Sequence, residues 1–322
     1  MQGGNGIQKS RKVKAFAPAT VANVACGFDV LGFAIHHLGD VVTASKSDEP
    51  GVRILSIDGD DGRLPLDASK NTAGLSVISL LEELGLSDST GMDLEIEKKM
   101  PLGSGLGSSA ASSVAAVVAA NHFLGEPFQK RDLLPFAVQG EMAASGSPHA
   151  DNAAASLMGG FVLVKEHQPP DIISLHTPEE LYCTIIHPDI EIQTRNSRKL
   201  LKKQIQLEKA VTQWGNLGSL IAGLYSEDYE LIRRSLHDVI IEPMRSILIP
   251  GFDEMKKAAL KSGVLGCSIS GSGPSLFALS ATEGAASTAA EKMGDVMEKI
   301  GLSHDRYISK INTDGATIID ES

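Results

Sequence analysis

The sequence has no apolar run approaching the ~20 residues that a membrane-spanning helix needs. The Ala/Val segment after Ser113 is too short and too weakly hydrophobic to serve as one, so no membrane partner is expected. Basic residues are also in deficit, with 29 Lys and Arg against 40 Asp and Glu and a net charge of −11. That balance excludes an extended nucleic-acid surface, though a local basic pocket for phosphate remains compatible with it. Cysteine is scarce: Cys26, Cys183 and Cys267 are odd in number, far apart and without metal-ligand spacing. They read as small buried residues in a chain suited to a reducing cytoplasm. The opening MQGGNGIQKSRKVKAF has no apolar core behind its basic residues, which excludes a secretory signal. Residues 1–10 are expected to form a tail. Solenoid repeats and low-complexity tracts are absent too.

At 322 residues the chain has room for two domains. Short strands are expected at Val13–Ala17 (ending at Pro18), Val30–Ile35, Val41–Ala44 and Gly51–Ile57. Thr72–Leu84 places Leu75, Ile78, Leu81 and Leu84 at helical spacing, with Gly85 as a stop. Met92–Lys98 alternates as a strand. Lys130–Ala144 reads as a helix capped by Asp132, and Gly159–Val164 as a strand. The polar KEHQPPD stretch that follows is the candidate linker, dividing the chain into domains 1–168 and 169–322. Beyond it come a strand at Tyr182–His187 and helices at Arg195–Gln204, Glu208–Tyr225, Asp228–Val239 and Phe252–Ser262. Strands at Cys267–Ser270 and Leu276–Leu279, a helix at Ala285–Ile300 and a strand at Tyr307–Ile311 complete the pattern. The mixture lacks strict βαβ alternation, which indicates α+β rather than a doubly wound sheet.

The most informative stretch is residues 101–121, PLGSGLGSSAASSVAAVVAAN. Gly103, Gly105 and Gly107 allow sharp bends and close approach of backbone N–H groups to a ligand. Ser108 and Ser109 then open a helix whose first N–H groups and positive dipole end face outward. A glycine-rich turn feeding a helix N-terminus is an anion site, and phosphate is its usual occupant. It is not a Walker loop, since no lysine occurs between Pro101 and Asn121. It is not a dinucleotide fingerprint either, because Ser108 stands where the third glycine belongs.

The spelling P-x-G-x-G-L-G-S-S-A resembles the GHMP kinases, a family of small-molecule kinases. Two further segments carry the same likeness: APATVANVACGFDVLGFAI at residues 17–35 and GCSISGSGPSLFAL at residues 266–279. HADNAAASLMGG at residues 149–160 and IEPMRSILIPGF at residues 241–252 narrow it to the branch acting on homoserine. The resemblance runs from about residue 13 to the C-terminus. It implies an N-terminal domain like ribosomal protein S5 domain 2, a ferredoxin-like C-terminal domain, an active site between them, and a homodimer.

It also implies the chemistry. ATP would be the phosphoryl donor, cradled by Pro101, Gly103, Ser104, Gly105, Leu106, Gly107, Ser108 and Ser109, with Asn71 near the base or ribose. Ser109 and Glu141 would hold Mg2+, which needs few protein ligands because it keeps several waters. The small-molecule acceptor L-homoserine would lie among Asn23, Asp29, Asn152, Thr194, Arg198 and Arg245. There Asp29 suits the ammonium, and the arginines suit carboxylate and phosphate. The set Asn152, Arg245 and Glu141 would serve the transfer itself. Without the resemblance, Glu141 reads as a solvated helix carboxylate, Asn23 as a turn former, Asp29 as a cap and Arg198 as a solvated helix face.

Related kinases place an aspartate at the acceptor hydroxyl where this chain has Asn152, an amide that accepts no proton at neutral pH. Catalysis by positioning is therefore expected. Asp151 and His149 stand as alternative proton acceptors. Rival readings are another GHMP kinase, on mevalonate or a sugar, and a non-catalytic sensor of the same fold. The sensor predicts loss of Glu141 or the loop serines, and all three are present.

Overall fold

A computed structural model describes residues 11–145 and 150–322. The tail expected over residues 1–10 and the alternative base His149 lie outside the described residues. The chain begins with β1 (Lys12–Ala22), β2 (Leu31–Ser47), β3 (Gly51–Asp58), α1 (Thr72–Glu83), β4 (Gly91–Glu97) and α2 (Ser108–Phe123). Next come α3 (Leu134–Ser145), α4 (Ala150–Met158), β5 (Phe161–His167), β6 (Pro170–Leu175) and β7 (Tyr182–Pro188). Helices α5 (Thr194–Lys199), α6 (Leu207–Ser226), α7 (Tyr229–Ser235), α8 (Glu242–Arg245) and α9 (Phe252–Lys261) follow. The chain closes with β8 (Gly266–Ile269), β9 (Leu276–Ser280), α10 (Glu283–Lys299), β10 (His304–Lys310) and β11 (Thr317–Glu321).

Among the described residues, seven strands form one sheet with the order β11-β1-β2-β4-β3, and the β5–β6 hairpin pairs with β2. Only β3 and β4 run parallel there. The second sheet is antiparallel, in the order β10-β7-β9-β8. This is the α+β class expected. Alternation shapes β4: Met92, Leu94 and Ile96 are buried, while Asp93, Glu95 and Glu97 pair with Arg53, Lys12 and Lys14. Such cross-strand ion pairs support register more than stability. Helix α2 is apolar on nearly all sides because it is enclosed. Its Ala-rich surface lets β1, β2, α1, α3 and α4 approach closely.

One apolar core runs through both sheets. Phe33 of β2 meets Phe161 of β5 at 4.9 Å between centroids and Phe277 of β9 edge-on at 6.0 Å. A second core lies between the four-stranded sheet and helices α9 and α10. All three cysteines are free and buried. Burial pushes the thiols of Cys26 and Cys267 up to about 12, which leaves them inert.

Several expectations need correction. The first strand does not end at Pro18 but continues to Ala22. Proline is tolerated there because the register shifts between Pro18 and Thr20. The expected linker is a hairpin: β5 and β6 pair across it, so a boundary at 168/169 falls inside one sheet. Its prolines mark a tight reversal, which composition does not distinguish from a linker. Strand β11 also returns to the first sheet, beside β1. Being an exposed edge, it lacks the apolar alternation that would reveal it. Asp132 sits within a 3-10 turn, and the α-helix begins only at Leu134, just before Pro135. The helix expected over 195–204 stops at Lys199, and among its residues only Ser197 is buried. A short helix with so little to bury does not propagate.

Candidate active site

Gly103, Gly105 and Gly107 have φ of 68°, 79° and 72°, so alternate residues of the loop lie in the left-handed region. A Cβ on Gly105 would fall 2.5 Å from the Ser270 carbonyl and 2.8 Å from that of Gly273. The second glycine turn therefore buttresses the first, backbone against backbone. Ser270 Oγ donates to the Gly105 carbonyl at 2.8 Å, and the Ser275 N–H donates to that of Ser104 at 3.2 Å. Gly107 caps α2, which leaves the first N–H groups of the helix open to the cavity. Ser104, Ser108 and Ser109 line that cavity. Pro101 and Leu106 do not: Leu106 is a core residue.

The two serines differ. Ser108 Oγ donates inward to Asp40 Oδ2 at 3.2 Å, so only its backbone is available to a phosphate. Ser109 Oγ instead donates to Glu141 Oε2 at 2.9 Å. Glu141 is buried, and that burial pushes its carboxyl up to about 7, against the lowering effects of Ser109 and Lys98. Together Ser109 and Glu141 offer two hard oxygen donors on one wall, a set that fits Mg2+. Beneath the loop, Lys98 Nζ is paired with Asp40 and donates to the Ser108 carbonyl at 2.9 Å and Ser112 Oγ at 2.7 Å. This buried cation fixes the first turn of α2. Sequence reasoning missed it, although Lys98 continues the inward parity of Met92, Leu94 and Ile96.

Asn71 caps α1: its Oδ1 accepts from the Ala73 N–H at 3.0 Å, and its Nδ2 donates to the Pro65 carbonyl at 3.0 Å. It lines the cavity, but both ends of its amide are used locally.

On the acceptor side, Asn23, Val24, Ala25 and Asp29 all have positive φ, between 40° and 71°. For β-branched Val24 this is an outlier, held by its surroundings. Asn23 Nδ2 donates to the Gly271 carbonyl at 2.7 Å, and its Oδ1 accepts from the Asp29 N–H at 3.0 Å. Asn23 thus ties this turn to the second glycine loop.

Asp29 and Arg198, expected to receive a substrate's two charges, bond to one another at 2.8 Å. Arg245 is 3% exposed and donates from Nη1 to the Gly271 carbonyl at 2.9 Å. Burial lowers its pKa to about 10, which keeps it charged at neutral pH. Both guanidinium groups stand over the ring of Phe28, at 5.8 Å for Arg198 and 5.2 Å for Arg245. The Nε of each is buried without a hydrogen-bond partner among the described residues. One buried and one half-buried cation with unused donors form a site for an anion. Thr194 Oγ1 lies 3.2 Å from Ser272 Oγ at the rim. Asn152 lines the same cavity, and burial, then Asp29, push neighbouring Asp151 up to about 7.

The phosphate cradle, acidic wall and dibasic acceptor pocket thus open into one cavity between the sheets. That fold and site define a GHMP kinase. Models of the GHMP kinase N-terminal and C-terminal domains match residues 71–160 and 220–299. Homoserine kinase from Chloroherpeton thalassium is 49% identical over 318 residues, covering 96% of this chain and all of that one. The crystal structure of homoserine kinase from Cytophaga hutchinsonii is 54% identical, with TM-score 0.93 over 99% of this chain and 100% of that chain. A mevalonate kinase of L. major, at 15% identity and TM-score 0.70, covers 92% of this chain and 96% of its own, and shows the fold alone. The chain belongs to the homoserine kinase family, and is a kinase.

Proposed function

We propose that the protein transfers the γ-phosphoryl group of ATP to the side-chain hydroxyl of L-homoserine, giving O-phospho-L-homoserine and ADP on the route to threonine. The observation that carries this reading is the acceptor pocket. Asp29, Arg198 and Arg245 supply one anionic and two cationic groups for a zwitterion, and a neutral amide, Asn152, stands where a base would. Substrate ammonium and carboxylate would exchange into the Asp29–Arg198 pair, each charge replacing the partner it displaces. Asn152 would orient the hydroxyl, and the open N–H groups of α2 would hold the phosphates. Because the transition state is loose, alignment and charge stabilisation suffice. The hydroxyl proton then leaves with the transferred phosphate or to water.

Ser109 and Glu141 would hold Mg2+, which when bound neutralises charge building on the phosphate oxygens. Ser109→Ala is expected to raise the Mg2+ concentration for half-maximal rate ~10-fold. Ser108→Ala leaves that requirement alone and lowers stability by ~1–2 kcal/mol, through the donor lost to buried Asp40. Magnesium titration with thermal melts of both variants checks this. The opposite order would move the ligand to Ser108.

A homodimer is proposed only as what the resemblance implies, and the three buried thiols accord with a cytoplasmic setting. The reaction is tested by coupled ADP release with L-homoserine, D-mevalonate, galactose and L-serine. Turnover on homoserine alone supports the reading. Preference for another alcohol overturns the pocket assignment, and nucleotide binding without turnover on any acceptor indicates a sensor.

A further inference from the structure

We propose that Thr20 is a positioning residue that aligns the phosphate loop with the acceptor amide, an inference resting on the reading of Asn152 given above. Thr20 lies in β1, fully buried, and it is absent from the cavity wall. Whatever it contributes must pass through a neighbour. Its Oγ1 donates to Asn152 Oδ1 at 2.8 Å. Its own N–H donates to the Leu106 carbonyl at 3.0 Å, inside the glycine loop. A single residue therefore bonds the donor side of the reaction through its backbone and the acceptor side through its hydroxyl.

Gly107 closes this joint. A Cβ there would fall 2.2 Å from Thr20 Oγ1 and 2.8 Å from Asn152 Oδ1, so the cap of α2 rests on the Thr20–Asn152 bond itself. The contacts with Asp151 favour one orientation of the amide. Asp151 Oδ1 accepts from the Asn152 N–H at 2.9 Å and from its Nδ2 at 3.3 Å. A flipped amide would set its oxygen against that carboxylate. Oδ1 therefore faces Thr20 and keeps one lone pair for a substrate hydroxyl. A hydroxyl that donates to it keeps its own lone pairs for the phosphorus. Loop and amide share one reference point, so a shift of Thr20 alters the distance between the two reactants. Displacements of about 1 Å cost ~10²-fold in rate.

The test compares Thr20→Val, Thr20→Ser, Asn152→Ala and the Thr20→Val/Asn152→Ala double variant, following both ADP and phosphohomoserine. Thr20→Val keeps the shape and removes the hydroxyl. It is expected to lower kcat ~10- to 100-fold, with KM for ATP and homoserine within about threefold and ADP formed in excess of phosphohomoserine. Thr20→Ser should restore kcat to within about threefold. In the double variant the valine should add nothing further, because the two residues act as one unit. A purely structural role would lower thermal stability and give additive losses, and that result overturns the inference. Wild-type kcat in Thr20→Val with an impaired Asn152→Ala also overturns it, while sparing the reading of Asn152. An unimpaired Asn152→Ala overturns that reading and the inference with it. If the valine variant does not fold, Thr20→Cys, with its weak donor, takes its place in the same cycle.

Discussion

Glu141→Gln is expected to lower kcat ~10²- to 10³-fold, the scale of losing one charge-stabilising group in a dry site. The substitution keeps the shape and a partner for Ser109 while removing the charge that faces the phosphates. The same change should make the ligand-free protein more stable at alkaline pH. Burial raises the Glu141 carboxyl from 4.5 to about 7 in the folded state, while the unfolded chain ionises at its ordinary value. Folding thus favours the protonated form. The associated stability is complete below pH 4.5, erodes as pH rises through about 7, and then levels off. Above that pH the glutamine variant is expected to exceed wild type by on the order of 3 kcal/mol, and to match it in acid. Melts at pH 5 and pH 8 without nucleotide, together with steady-state rates, check both halves. A glutamine variant with wild-type kcat would remove Glu141 from the proposed metal site. One with an unchanged pH slope would show that its burial costs nothing. A site that is less stable than its neutral counterpart yet more active is a common trade in enzymes.

Arg245→Lys should lower kcat/KM for homoserine ~10²- to 10³-fold, from the 2–5 kcal/mol attached to a buried charged hydrogen bond. KM for ATP should stay within about threefold. The guanidinium does two things at once. Nη1 holds the Gly271 carbonyl, and the buried Nε still has a hydrogen to donate. An ammonium cannot divide itself in that fork geometry, nor stack as well on Phe28. Arg245→Met tests the electrostatics separately, since it removes a buried cation that lies beside the half-buried Arg198. Its ligand-free form is expected to melt at or above the wild-type temperature while losing homoserine turnover. If both variants kept the wild-type KM and kcat for homoserine, the dibasic pocket would not be the acceptor site.

These variants follow from side chains that the sequence singled out, although their partners lay beyond its reach. Glu141 was legible only through resemblance, because an isolated helix glutamate usually faces solvent. Its pairing with Ser109 is the observation that separates the two loop serines. Asn71, expected at the nucleotide, lines the cavity and also caps α1. Asx capping is itself a local pattern, and the N-T-A-G spelling carries it. Asp29 and Arg198 were expected to hold opposite ends of a substrate, yet they hold each other. That arrangement keeps both charges paired when the pocket is empty, where an isolated one would be costly.

What the sequence determined by itself is whatever depends on neighbours along the chain. The glycine loop and the helix it feeds follow from left-handed backbone at Gly103, Gly105 and Gly107 and from the open N–H groups after them. The Met92–Lys98 strand follows from alternation, and the α+β class from the order of elements. Only the tertiary structure decided the contacts that make the loop a site. Lys98 reaches Asp40 across 58 residues, Thr20 reaches Asn152 across 132, and Arg198 reaches Asp29 across 169. Each of these groups is polar and a hydrogen bond is short in range, so its role is set by what the fold places within about 3 Å. Propensity and periodicity act over a few residues, whereas a hydrogen bond between distant strands depends on every packing step that brings them together.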